Sequence, residues 1–309
     1  MIGWVFPGQG SQFVGMSEGL NDGPARATWE TARGVLGWDV FSVCAHGPAE
    51  LLDTTEVAQL AILATSVAAQ QAIESTGLLP DMVAGHSVGE FAALVAARAM
   101  SFEDALTVVR VRGEAMAAAG RSHDGGMAAL IGLDAEKATR VCRTLEGSVV
   151  VANINAPGQV VISGEREAVA AAIEAARAAG ARKVIPLSVS VAAHSPLMRE
   201  AAPALERALE SVALSRPAIP FASSTEGRFV QEPDEIRKAL VSALTSPVDW
   251  PRCMQAMSNA GARAFVEVGP GPVLTGLNKR IVPDADLTAV GSHAEAVALA
   301  NHLALEVGS

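Results

Sequence analysis

Asp81-Met82-Val83-Ala84-Gly85-His86-Ser87-Val88-Gly89-Glu90-Phe91-Ala92-Ala93-Leu94-Val95-Ala96-Ala97-Arg98 reads as a short buried strand, a tight turn and a helix. The turn is a G-x-S-x-G sequence, Gly85 to Gly89. A serine on a strand-to-helix turn projects its hydroxyl into a cleft, and the helix N-terminus beneath it favours negative charge. The flanking glycines allow a strained backbone and close approach of neighbouring chain. That geometry suits a nucleophile that forms an acyl-enzyme. The alternative is a glycine-rich turn whose serine only caps the helix.

The same alternation continues on either side. Short apolar runs at 2–6, 82–84, 128–132, 149–152, 160–163, 182–186, 219–222 and 264–268 read as strands. Alanine-rich amphipathic stretches at 25–36, 57–75, 88–97, 102–118, 135–145, 166–179, 197–211, 233–244, 250–260 and 294–306 read as helices. This order predicts an α/β fold with a mostly parallel sheet covered on both faces. From Gly126 to about Ser188 the rhythm changes to strand, helix, strand, strand, helix, strand, the ferredoxin-like order. The expected organisation is therefore a hydrolase-like large subdomain from 1–125 and 189–309, with a small ferredoxin-like subdomain inserted at 126–188. Asp124-Gly125-Gly126 marks the entry and Ser188-Val189-Ser190 the exit.

Composition narrows the possible partners. Half of the 309 residues are hydrophobic and 18% are charged, enough for a substantial core. No apolar run has the length of a membrane span. The start, Met1-Ile2-Gly3-Trp4-Val5-Phe6-Pro7, has no basic region of a signal peptide, so a cytoplasmic location is expected. A net charge of −10 argues against nucleic acid, while leaving room for a local basic patch. Cys44, Cys142 and Cys253 lie far apart and form no C-x-x-C pair, so buried free thiols are expected and no metal site.

A serine nucleophile needs a base and an oxyanion site. Of six histidines, His86 adjoins Ser87, and neighbours at a tight turn point apart, so it packs under the turn or bonds locally. His293 and His302 read as surface, and His123 sits in a polar loop. His46 and His194 remain. His194 closes an apolar run just before a proline-initiated helix, in Ala193-His194-Ser195-Pro196-Leu197-Met198. It is the better candidate base, a helix-capping histidine being the other reading. No carboxylate between Ser87 and His194 stands out, which suggests that a backbone carbonyl orients the base. Pro7-Gly8-Gln9-Gly10-Ser11-Gln12 is either an oxyanion loop or an ordinary glycine loop. Arg110 and Arg112 point to different sides of one helix. An inward arginine needs an anion, either a substrate carboxylate or a structural partner.

Taken together, these segments resemble the malonyl-CoA:acyl carrier protein transacylase family and the related acyltransferase domains of polyketide synthases. The resemblance is carried by Phe6-Pro7-Gly8-Gln9-Gly10-Ser11-Gln12, Gly85-His86-Ser87-Val88-Gly89-Glu90, Arg112-Gly113, 153–164, His194-Ser195-Pro196-Leu197-Met198 and 267–274, nearly end to end. It implies that Ser87 is acylated, that His194 is its base and that the N–H groups of Gln9 and Val88 form the oxyanion hole. It implies that Arg112 holds the acyl carboxylate, with Ala193, Met116 and Asn155 in the substrate-binding set. It implies acyl-CoA and an acyl carrier protein as partners, no permanent cofactor or metal, and a monomer. Two segments depart from the family pattern. Asp249 stands where a glutamine often precedes the tryptophan, and its backbone carbonyl is the expected orienter of His194. Ser223-Ser224 replace frequent asparagines, which puts side-chain hydrogen bonds there in doubt. Val88 after the serine favours malonyl, and the small Ala193 leaves space for a substituted malonyl unit. A serine thioesterase and a non-catalytic docking subunit are the rival readings.

Overall fold

Residues 2–6 and 82–85 are apolar on both faces, as strands at the centre of a covered parallel sheet must be. In the computed structural model, which describes residues 1–187, 189 and 191–307, they are the two central strands of the larger of two sheets. Ser188 and Ser190, expected to mark an exit between segments, lie outside the described residues.

In chain order the strands are β1 Ile2–Phe6, β2 Met82–Gly85, β3 Gly125–Ile131, β4 Val149–Ala156, β5 Gln159–Glu165, β6 Lys183–Pro186, β7 Phe221–Ser223, β8 Arg228–Val230, β9 Val248–Asp249, β10 Ala264–Val268 and β11 Asp286–Val290. The larger sheet has the order β11-β10-β1-β2-β7-β8 and is parallel except at β8. Alternation along β1 sends Trp4 and Phe6 to one face and Val5 to the other. The Trp4 face packs on the helices Thr55–Glu74 and Gly89–Ala96, which are buried nearly all round and so read as apolar throughout. The Val5 face packs on Trp250, Met254 and Met257 of the helix Trp250–Asn259.

β1 and β2 run in register with Phe6 opposite Gly85, so the loop after β1 and the turn after β2 emerge side by side. The C-terminal edge of a parallel sheet is where α/β folds place their sites.

The second sheet has the order β6-β3-β5-β4-β9. Its first four strands, with the helices Ala135–Arg143 and Arg166–Ala178, have the expected split βαβ order. Its fifth strand was not foreseen. β9 comes from far outside 126–188 and pairs parallel with β4, Ile154 opposite Asp249. Two residues carry no periodicity, which is why the sequence pattern is silent there. The expected helix at 197–211 is divided into a 3-10 turn, Pro196–Ala201, and an α-helix, Ala202–Glu210. Pro203 removes the donor that would join them. The helices Val40–His46 and Val273–Ile281 and the strands β8 and β11 were also missed, being short or polar.

Candidate active site

The turn between β2 and the helix Gly89–Ala96 is drawn tight by its glycines. A Cβ on Gly85 would stand 2.1 Å from the Gly89 carbonyl carbon, and one on Gly89 would stand 2.2 Å from the Phe6 oxygen. Both distances are impossible, so only glycine lets the helix start against β1. Between them Ser87 takes a left-handed conformation with φ of 53°. His194 does the same, with φ of 58°, in the link that leads to Pro196–Ala201.

Ser87 Oγ lies 2.9 Å from His194 Nε2. On its other side the ring's Nδ1–H donates to the Ala243 carbonyl at 2.6 Å. That bond leaves Nε2 bare, so the Ser87 hydroxyl donates to it. Asp249 was the expected orienter, and the structure corrects this. The carbonyl belongs to Ala243, and the Asp249 carboxylate instead caps the helix Trp250–Asn259 by accepting from Arg252 N at 3.2 Å. Ala243 is the C-cap of the helix Pro233–Ser242, where carbonyls have no partner within the helix. The same helix end, negative by its dipole, favours a positive imidazole. Burial first, and then the charge of Arg112, push His194 down to about 3. The ring is neutral and able to accept a proton across the neutral range.

Arg112 is buried at 3% exposure on the inner face of the helix Phe102–Ser122, whereas Arg110 is half-buried on another side. Its Nη1 donates to Gln59 Oε1 at 2.5 Å and its Nη2 to Ser87 Oγ at 3.2 Å. Burial lowers it to about 10, still charged near neutrality. No carboxylate lies within ion-pair distance of it among the described residues, though the buried Glu90 acts on it from further off and raises it. Gln59 escaped the sequence reading. Its signal was a lone amide in the apolar stretch 57–69, which needs a buried partner.

Ser87, Arg112 and His194 line a cavity of about 520 Å³. Gln9, Val88, Met116, Asn155 and Ala193 line it as well, so the candidate set converges on one space. The backbone N–H groups of Gln9 and Val88 have no acceptor among the described residues. Asn155 Oδ1 accepts from His86 Nε2 at 3.0 Å, so one end of its amide is taken. His86 thus bonds across to β4, and its ring also leans on Trp250 at 5.7 Å between centroids. His46 is exposed at the end of the helix Val40–His46 and is absent from the cavity lining. Ser224 does form side-chain hydrogen bonds: its N and Oγ donate to Glu90 Oε1 at 2.7 and 3.1 Å. Burial holds Glu90 up at about 7. The three cysteines are free and buried. Among the described residues no helix is long and apolar enough to cross a membrane, and no cluster of histidine, cysteine and carboxylate could hold a metal.

A serine hydroxyl, a neutral imidazole held by a carbonyl, and a buried guanidinium with no carboxylate at ion-pair distance meet in one cavity. The acyl transferase domain model matches residues 3–298. The chain belongs to the acyl transferase family. The malonyl CoA-acyl carrier protein transacylase of Salmonella typhimurium is 41% identical over 296 residues, which are 94% of this chain and 96% of that one. The malonyl CoA-acyl carrier protein transacylase structure from Coxiella burnetii superposes with a TM-score of 0.94 at 35% identity, covering 97% and 96% of the two chains. A malonyl-transacylase solved in complex with its type II PKS acyl-carrier protein gives 0.94 at 39% identity, covering 97% and 99%. This acyltransferase therefore shares fold and family with them along nearly its whole length.

Proposed function

We propose that this acyltransferase carries a malonyl group from CoA to the phosphopantetheine thiol of an acyl carrier protein through an acyl-Ser87 intermediate. The observation that carries this reading is the Arg112 guanidinium, buried and without an ion pair, 3.2 Å from Ser87 Oγ. A buried cation beside a nucleophile asks for an acyl group that ends in a carboxylate. His194 Nε2 takes the Ser87 proton as Oγ attacks the thioester carbonyl. The N–H groups of Gln9 and Val88 face the oxyanion. The carbon–sulfur bond breaks, and the CoA sulfur leaves with the proton from His194. The carrier thiol then gives its proton to His194 and attacks the acyl-serine carbonyl; the carbon–Oγ bond breaks, and His194 hands the proton to Ser87 Oγ.

The relative solved with its acyl-carrier protein supports the second substrate. We assign the cleft to the junction of the 126–188 unit with the rest of the chain. No step needs a metal or a redox cofactor, and a cytoplasmic monomer is the expected working form. Ser87→Ala tests the reading. Mass spectrometry after exposure to malonyl-CoA should find the malonyl adduct on wild type and none on the variant, with transfer lower by several orders of magnitude. Transfer within about tenfold of wild type in the variant would place the nucleophile elsewhere. Release of free malonate at full rate without carrier protein would make the chain a thioesterase.

A further inference from the structure

Asn155 lines the acyl cavity, and its Oδ1 accepts from His86, the residue just before Ser87. The turn is tied to the same strand a second time. On the far side of Ser87, Glu90 accepts from Ser224 N and Oγ. The Ser224 carbonyl accepts from Asp249 N at 2.8 Å, and Asp249 sits opposite Ile154 in the β9–β4 pairing. Residues 86 and 90, on either side of the serine, therefore lead to adjacent residues, 155 and 154, of β4. The segment that supplies β9 also carries Ala243, whose carbonyl fixes His194. The His86 ring is confined by Trp250 and by Gly8, where a Cβ would lie 3.1 Å from Nδ1.

We propose that Asn155 is a positioning residue rather than a substrate ligand: through His86 it registers the nucleophile turn against β4, the strand against which the segment that holds the base's carbonyl is also registered. The Ser87–His194 distance is then set from one strand of the smaller sheet. A proton passes between these atoms in both half-reactions, so their alignment enters the rate at saturation rather than substrate affinity. This inference rests on the reading of Ser87 as the acylated residue.

The experiment is single-turnover acylation of Ser87 by malonyl-CoA, read as a maximal rate and a half-saturation concentration, with a thermal midpoint for each variant. Asn155→Ala should lower the maximal rate on the order of tenfold to a hundredfold. Its half-saturation should stay within about twofold of wild type. His86→Ala should do the same, and the double variant should be no slower than the worse single variant beyond about twofold, because one contact is removed twice. Asn155→Asp keeps the shape and the acceptor oxygen, so it should recover most of the rate. A substrate ligand would behave otherwise: the loss would fall on half-saturation, and a carboxylate facing an anionic acyl group would be worse than alanine. That pattern, additive losses in the double variant, or Asn155→Asp as slow as Asn155→Ala would overturn the proposal. If wild type itself gains no malonyl on Ser87, the proposed function fails; if it does and the Asn155 variants depart from these expectations, the positioning role fails alone.

Discussion

Ser87 and His194 are two of three non-glycine residues with positive φ among the described residues, the third being Arg98. Such conformations cost of order 1–3 kcal/mol each and persist where the surroundings over-determine them. Arg112 is the second cost, a desolvated charge whose proposed partner arrives only with the acyl group. Arg112→Ala should therefore penalise malonyl-CoA over acetyl-CoA by roughly 2–5 kcal/mol in kcat/KM, since acetyl has no carboxylate to lose. Equal losses on both thioesters would make Arg112 structural. His194 adds a pH dependence to stability. Its folded value of about 3 lies below the unfolded 6.5, so the unfolded chain binds the extra proton between them. Stability contributed by the neutral ring is present above 6.5 and drains as pH falls towards 3. By pH 5 this amounts to about 2 kcal/mol. His194→Gln should lose that much less between pH 7 and pH 5 in urea unfolding; an unchanged difference would refute the shift. Ser87, His194 and Arg112 were legible because each is a side chain of unusual type in a telling place. Ala243 was not, because a backbone carbonyl has no side-chain signature and spacing cannot choose between 243 and 249.

Helix ends do much of the positioning. Glu267, at the end of β10, is buried and accepts from Leu274 N at 2.9 Å and Thr275 N at 2.7 Å, the opening turn of the helix Val273–Ile281. The motif Glu267-Val268-Gly269-Pro270-Gly271-Pro272 thus bends the chain back so that a strand carboxylate caps the next helix. Glu267→Ala leaves two inner donors unmet, and each costs about 1–3 kcal/mol. The urea midpoint should drop accordingly, and Glu267→Gln, which keeps one acceptor oxygen, should drop less. Equal stability of all three proteins would mean that the helix start is held by other contacts. The helix itself was unreadable in the sequence, because Thr275, Gly276 and Asn278 dilute its apolar period. Asn278 faces inward and accepts from Trp250 Nε1 at 2.9 Å, a long-range pairing that local pattern cannot announce. By contrast Thr55–Glu74 and Gly89–Ala96 were plain, since their apolar content follows from burial on nearly every side.

At the scale of the whole molecule an acidic chain gathers basic side chains around one turn. Arg280 donates to Gln159 Oε1 at 3.0 Å and to the Pro157 carbonyl. Lys183 lies opposite Ile131, and Arg182 packs beside Gly132, whose N–H donates to Gly158. Arg182, Lys183, Lys279 and Arg280 are all exposed, and Gln159 lines the cavity, so the cluster stands near the cavity's Gln159 side. Charge reversal of Arg182-Lys183 or of Lys279-Arg280 should raise the KM for an acidic carrier protein, steepen no salt dependence, and leave Ser87 self-acylation intact. Unchanged KM in both would move the docking face elsewhere. The two sheets were foreseen from alternation and from the 126–188 rhythm, whereas β9, the edge strand of the smaller one, was not. That strand, β9, limits how the molecule can be recombined with its relatives. A chimera that transplants 126–188 alone would bring a foreign β4 to a native β9. Val248, fully buried with Ala156 and Trp250 against the larger sheet, would then face a mismatched neighbour. An exchange of 126–188 would therefore have to take 243–250 with it, so that β4 keeps its partner and the Ala243 carbonyl moves with the strand.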